Sequence, residues 1–245
     1  MGIDIAKAAL IEVDIQNDFC PAYTAKDGTK RPEGALAVHG GDCVIKPLNR
    51  IARRFVEEGG KVIASQDWHP AHHSSFASSH PGKKVNDVIV LPVPGPPPSV
   101  RRKYGEAEFI PAAIQQVLWP DHCVQNSPGA AFHDEFDLDY VNLVIRKGFR
   151  KNLDSYSVFF ENDRHTSTGL DGYLRGLGIE FVFIGGLATD YCVLYSVLDA
   201  VRLGYKTTVI TDAVREVGYP EGSVERAFKS MEEAGVLFAA AGDVL

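Results

Sequence analysis

The sequence predicts an α/β fold: one domain with a doubly wound, mainly parallel six-stranded sheet and helices on both faces. Three observations carry this expectation. Apolar runs alternate with helical periodicities along the chain, which is the βαβ rhythm. The runs are apolar at successive positions, as in strands covered on both sides. The chain has 245 residues, 45% hydrophobic and 23% charged, with no need of disulfides or metal to complete a core.

Ala8-Ala9-Leu10-Ile11-Glu12-Val13 reads as the first strand, ending at Asp14. Val44, Leu48, Ile51, Ala52 and Phe55 then mark one face of a helix. Pro47 belongs in its first turn, since deeper inside it would cost ~3 kcal/mol. Gly59-Gly60 stops the helix, residues 61–65 form the second strand, and 141–145 the third. A helix over 169–177 leads through Gly178 to a strand at 181–184. Residues 189–203 form a mostly apolar helix closed by Gly204, followed by a strand at 206–210. Val224, Ala227, Phe228 and Met231 stripe the last helix, and 235–238 is the sixth strand.

One stretch, from about Pro70 to Trp119, breaks the rhythm. It is rich in Ser, His, Pro and Gly and includes Pro92-Val93-Pro94-Gly95-Pro96-Pro97-Pro98. It reads as a semi-rigid surface loop or as a polyproline ligand for an SH3-type partner. As a long insertion in an otherwise continuous domain over 1–245, it is expected to cap the carboxyl-end rim of the sheet, with short helical pieces near 110–118.

Composition removes several function classes. Lys and Arg against Asp and Glu give 25 − 32 = −7, with the acids spread along the chain and no basic stripe for nucleic acid. No apolar run approaches the roughly 18 residues of a membrane span. The first residues lack a secretory signal, Ala6 stands where myristoylation needs Ser or Thr, and the last three are no peroxisomal address. Cys20, Cys43, Cys123 and Cys192 are scattered without a C-x-x-C pair, which fits free thiols in a reducing compartment. A cytoplasmic protein is expected, with the nucleus also open to it, and not a secreted one.

Ligands of open parallel sheets bind outside the carboxyl ends of the strands, and there the polar outliers gather. Cys192 follows a strand, a Gly-rich turn and the start of a helix, where unpaired N–H groups favour an anion. A thiol held there is a better nucleophile, although a lone free cysteine also reads as a small buried hydrophobe. Asp14 could take the thiol proton and Lys147 could hold the thiolate. Singly, each also reads as a solvated charge. Asp67 and His69, two apart on an extended chain, and His122, brought back by the insertion, form one carboxylate and two imidazoles suited to zinc, iron or manganese. His72 and His80 read as surface imidazoles, and His39, His133 and His165 have no supporting context.

These residues carry a resemblance. The chain, from Ala8 onward, resembles the nicotinamidases of the isochorismatase-like cysteine hydrolase superfamily, and its insertion and Trp119-Pro120-Asp121-His122-Cys123 are similar to the fungal type. The carriers are Asp14-Ile15-Gln16-Asn17-Asp18-Phe19, Asp67-Trp68-His69-Pro70, the Trp119 motif continued by Val124, Lys147-Gly148 with Asp154-Ser155-Tyr156-Ser157, and Gly186-Leu187-Ala188-Thr189-Asp190-Tyr191-Cys192-Val193. The resemblance implies hydrolysis of nicotinamide to nicotinate and ammonia, in NAD salvage, with Cys192 as nucleophile and Asp14 and Lys147 completing a triad. It implies Asp67, His69 and His122 as ligands of a divalent metal, zinc first and iron or manganese as alternatives. His73 matches a ligand that only some members use. A cis peptide at Leu187-Ala188 is implied, with the N–H groups of Ala188 and Cys192 as oxyanion donors. Phe19 and Trp119 are candidate walls for the substrate ring. The expected partner is small-molecule nicotinamide, with neither nucleic acid nor membrane, and a homo-oligomer stays open. The rivals are another amidase or isochorismatase-type hydrolase on the same scaffold, and a silent module binding through the Pro-rich loop.

Overall fold

The computed structural model describes residues 3–93 and 113–244. In chain order the elements are β1 (Ala8–Val13), a short antiparallel pair β2 (Tyr23–Thr24) and β3 (Lys30–Arg31), α1 (Ile45–Glu57) and β4 (Lys61–Asp67). A hairpin of β5 (Val88–Pro92) and β6 (Ala113–Val117) precedes β7 (Leu143–Lys147). Then come α2 (Leu170–Gly176), β8 (Phe181–Leu187), α3 (Leu194–Arg202), β9 (Lys206–Arg215), α4 (Ser223–Glu233) and β10 (Leu237–Ala239).

Six strands join in the order β10-β9-β8-β1-β4-β7, and every neighbouring pair is parallel. The alternation of side chains along β1 divides the core into two layers. Ala8 and Leu10 pack with Leu48, Ile51 and Phe55 of α1. Ala9, Ile11 and Val13 pack on the other side with Leu174 of α2, Val197 of α3 and Met231 of α4. Each fully buried aliphatic side chain contributes about 1.5–3 kcal/mol, so truncating Leu10, which has no exposed surface, costs about 2–5 kcal/mol. The platform is rigid where the strands end.

The expected strands and helices are all present, and Pro47 lies in the first turn of α1. The helix expected over 189–203 begins differently: Thr189–Val193 is a wide π-helical turn, and α3 proper starts at Leu194. The inserted segment corrects one expectation. Residues 113–117 are not helical but pair antiparallel with β5. Ala and Gln are good helix formers, yet this strand exposes Ala113 and Gln115 while burying Gln116, a period of two. Most of the Pro-rich run (94–98), and residues 110–112, lie outside the described residues. Among the described residues no helix is long and apolar enough to cross a membrane.

Candidate active site

Four neighbouring strand ends build the site. Asp14 follows β1 with φ +53°, a left-handed conformation that turns the chain off the sheet. Asp67 and Lys147 end β4 and β7 and are register partners across the ladder. Beside β1, β8 runs into the turn Ala188–Cys192, and the Leu187-Ala188 peptide is cis as expected. Gly186 has to be glycine, because a Cβ there would overlap the Val13 backbone.

Lys147 is fully buried and lies at the centre. Its Nζ is 2.8 Å from Asp14 Oδ2, 2.5 Å from Asp67 Oδ1 and 3.3 Å from Cys192 Sγ, and it donates to the Ser155 carbonyl at 3.0 Å. A buried ammonium is tolerable only with such partners. Burial opposes its charge, but Asp14, Asp67 and Cys192 outweigh it and raise its pKa. The other Asp14 oxygen accepts from Ser65 Oγ at 2.6 Å. Burial raises the Asp14 pKa, with Lys147 opposing. Burial also pushes the Cys192 thiol up, and Lys147 does not reverse this. The sequence reading expects a favoured thiolate; burial of Cys192 acts in the opposite direction, with Lys147 opposing burial.

Asp67 faces two ways. Its second oxygen, Oδ2, lies 3.6 Å from His69 Nε2 and 3.8 Å from His122 Nε2. His69 Nδ1 is 2.8 Å from the Gly148 carbonyl, and His122 Nδ1 is 2.8 Å from the Pro120 carbonyl. Those carbonyls hold the Nδ1–H tautomers and leave both Nε2 lone pairs turned toward Asp67, the outer support that metal-binding imidazoles need. Gly148 makes room for the His69 ring, which a Cβ would meet at 2.5 Å. The donor atoms of Asp67, His69 and His122 all lie within 4.8 Å of one another. Two carboxylates against one ammonium leave one excess negative charge in this buried cluster, which favours a bound cation. The residues fit a metal.

The charges of these groups follow from burial and from their neighbours. Asp67 is lowered: burial opposes its charge, but Lys147, His69 and His122 prevail. Burial lowers His122 to about 4, with His69 adding to the effect. His69 is raised, since Asp67 overcomes the effect of burial. His73 stacks on His69 with centroids 4.3 Å apart. Its Nδ1 meets Ser75 Oγ at 2.7 Å and its Nε2 the Arg150 carbonyl at 2.9 Å, so both nitrogens are engaged. One of them is nevertheless within 4.8 Å of donor atoms of His69 and Asp154.

An apolar pocket opens over Cys192, walled by Phe19, Trp119, Tyr156, Tyr191, Ala188 and Val217. Of the residues the sequence reading names, Asp67, His69, His122, Ala188, Cys192, Phe19 and Trp119 line this pocket, and Asp154 lines it although it is quoted only within a motif. The sequence reading misses Tyr156 and Tyr191, although both stand inside quoted motifs, one beside Asp154 and the other beside Cys192. Val217 reaches the pocket because Asp190 holds its loop, accepting from the N–H groups of Val217 at 2.9 Å and Gly218 at 3.0 Å. Ser65 and Gln116, which support Asp14 and Asp154, carry no sequence signal.

With this geometry in place, comparison with known proteins is informative. The Isochorismatase domain family matches residues 8–242. The chain is 42% identical over 228 residues to the Nicotinamidase of Acinetobacter baylyi, covering 93% of this chain and 90% of that protein. Among solved structures, an Acinetobacter baumanii nicotinamidase and pyrazinamidase superposes with a TM-score of 0.81 at 40% identity, covering 98% of this chain and 99% of that one. The pyrazinamidase of Pyrococcus horikoshii in complex with zinc gives a TM-score of 0.66 at 33% identity, with 96% and 99% covered. The parallel sheet, the strand-end cluster and these matches place the chain in the isochorismatase family.

Proposed function

We propose that this protein is a nicotinamidase, hydrolysing nicotinamide to nicotinate and ammonia through a thioester at Cys192. The observation that carries the reading is Lys147 Nζ, which touches Asp14, Asp67 and Cys192 Sγ at once beneath an aromatic pocket. An ammonium so placed joins a proton acceptor to a nucleophile.

Asp14 takes the Cys192 proton as sulfur attacks the carboxamide carbon, so the high resting pKa of the thiol is no obstacle: charge develops only beside Lys147. The backbone N–H groups of Ala188 and Cys192 receive the oxyanion, each worth ~3 kcal/mol of barrier on the usual mutational scale. Asp14 then delivers the proton to the amide nitrogen, which leaves as ammonia while the C–N bond breaks and the thioester stays. It next takes a proton from water, whose oxygen attacks the thioester, and returns that proton to the Cys192 sulfur as nicotinate departs. Phe19 and Trp119 hold the ring between apolar surfaces.

Asp67, His69 and His122 would hold a divalent metal, with His73 as a buttress stacked on His69. When bound, such an ion supplies a Lewis acid for a pyridine-type nitrogen. Zinc is the ion we infer, from the nitrogen and oxygen donors and the zinc in the Pyrococcus horikoshii relative. The likeness to the fungal type is a finer matter that the function does not need, since a bacterial relative matches at 42%. The insertion at about 70–119 belongs to the same domain in this reading. A role in NAD salvage and a cytoplasmic location, on the scattered cysteines, complete it. The test is ammonia release from a panel of amides, with metal analysis of the purified enzyme. Nicotinamide as the preferred amide is expected; preference for an aliphatic amide, or no release at all, overturns the reading.

A further inference from the structure

Tyr156 stands between two spaces. On one side is the pocket over Cys192, whose free volume is only about 30 Å³. On the other side is a cavity of about 250 Å³, lined by Tyr156, Phe160, Glu161, Asn162, Tyr195 and Asp199 among others. Tyr156 lines both, so a ring entering beside Cys192 meets a wall with open space behind it.

The wall is held chiefly at its tip. The Tyr156 hydroxyl oxygen accepts from Trp119 Nε1 at 3.2 Å, and Gln116 Nε2 packs against it at the same distance. Gln116 is fixed in turn: its Nε2 also meets Asp154 Oδ2 at 2.9 Å and the Val117 carbonyl at 2.8 Å, two groups that can only accept. The ring edge meets Tyr191 with centroids 5.4 Å apart and Tyr195 at 5.3 Å. Trp119, through its hydrogen bond, and Gln116, through its contact, therefore set the position of this side chain.

Resting on the amide-hydrolase reading of the Cys192 pocket, we infer that Tyr156 is the specificity-determining wall of this site. It sets the largest ring that fits beside Cys192, and shortening it joins the pocket to the cavity behind. The enzyme with Tyr156→Ala is expected to accept quinoline-3-carboxamide, which keeps the pyridine nitrogen and carboxamide of nicotinamide and adds a fused ring. Its kcat/KM ratio for the quinoline amide over nicotinamide should rise about ten-fold or more over wild type. Tyr156→Phe keeps the ring and should leave that ratio within about three-fold. Binding of the quinoline amide to a Cys192→Ala, Tyr156→Ala double variant, measured by calorimetry, reads the same fit without turnover. If Tyr156→Ala does not fold, Tyr156→Leu takes its place in both measurements. A folded variant with an unchanged ratio and no gain in quinoline binding overturns the inference while leaving nicotinamide hydrolysis standing. Failure of wild type to release ammonia from nicotinamide overturns the functional reading instead, and the binding measurement still decides the role of Tyr156.

Discussion

The strand ends and the inserted segment build the same site by different means. Asp14, Asp67, Lys147 and the turn to Cys192 continue from the ladders of four neighbouring parallel strands, and Lys147 ties them with contacts of 2.5–3.3 Å. Gln116 and Trp119 come from the insertion and His122 from the turn that follows it, held by side-chain and backbone bonds such as His122 to the Pro120 carbonyl. The difference assigns labour. Bond making and proton transfer sit on the rigid ladders, where displacement costs most. The pocket over Cys192 draws on both, with Trp119 from the insertion facing Tyr156 and Tyr191.

Changes at the strand ends should therefore strike turnover, and the largest effect is expected there. Cys192→Ala and Lys147→Ala should each lower kcat/KM by a factor on the order of 10⁴ or more, since members of one catalytic unit fail together. Lys147→Ala also leaves Asp14 and Asp67 without their buried counter-charge, at a cost of about 3–5 kcal/mol in stability. Steady-state kinetics with urea unfolding checks both. Lys147→Arg should recover little, because a planar fork does not fill the place of a compact ammonium.

A smaller effect, and of another kind, is expected from the insertion side. His122→Ala, or treatment with a chelator, should weaken nicotinamide binding by about 10–100-fold, the usual range for loss of metal support. Benzamide, which lacks the ring nitrogen, should be a poor substrate before and after. Equal turnover of benzamide and nicotinamide by the wild-type enzyme would separate the metal ligands from recognition and break the division proposed here.

How much of this was legible in the sequence follows the same division. The strand ends could be read because apolar runs stop at, or within two residues of, Asp14, Asp67 and Lys147, and parallel strands bring their ends together whatever their separation in the chain. The bridging role of Asp67 could not: one side chain serving Lys147 with one oxygen and two imidazoles with the other leaves no pattern in spacing. Ala113–Val117 misled through its helix-forming Ala and Gln, because the partner that makes it a strand lies across the insertion at β5. Tyr156 was in view within Asp154-Ser155-Tyr156-Ser157, yet its place depends on Gln116 and Trp119 from that same hairpin.

The mildest expected change concerns Glu12, two residues before Asp14 on the same strand. Asp14 has Lys147 and Ser65; Glu12 is fully buried, and neither of its oxygens has a hydrogen-bond partner among the described residues. Burial raises its carboxyl well above the ordinary 4.5, with Asp137 adding to the shift. The folded state thus keeps a proton that the unfolded chain gives up. Its contribution to stability is full below the ordinary value and is lost as pH rises toward the folded-state pKa. Glu12→Gln removes that dependence, so its gain in Tm over wild type should widen from pH 4 upward while activity stays within about two-fold. A gap that does not change with pH would show Glu12 to be ionised and paired in solution.

The central claim is that Cys192, activated between Asp14 and Lys147, carries the acyl group. Intact-protein mass spectrometry of enzyme quenched during turnover of nicotinamide tests it most directly. A nicotinoyl adduct should appear on wild type, map to the peptide containing Cys192, and be absent from Cys192→Ala. Turnover with no adduct on rapid quenching, or an adduct that persists in Cys192→Ala, would contradict it.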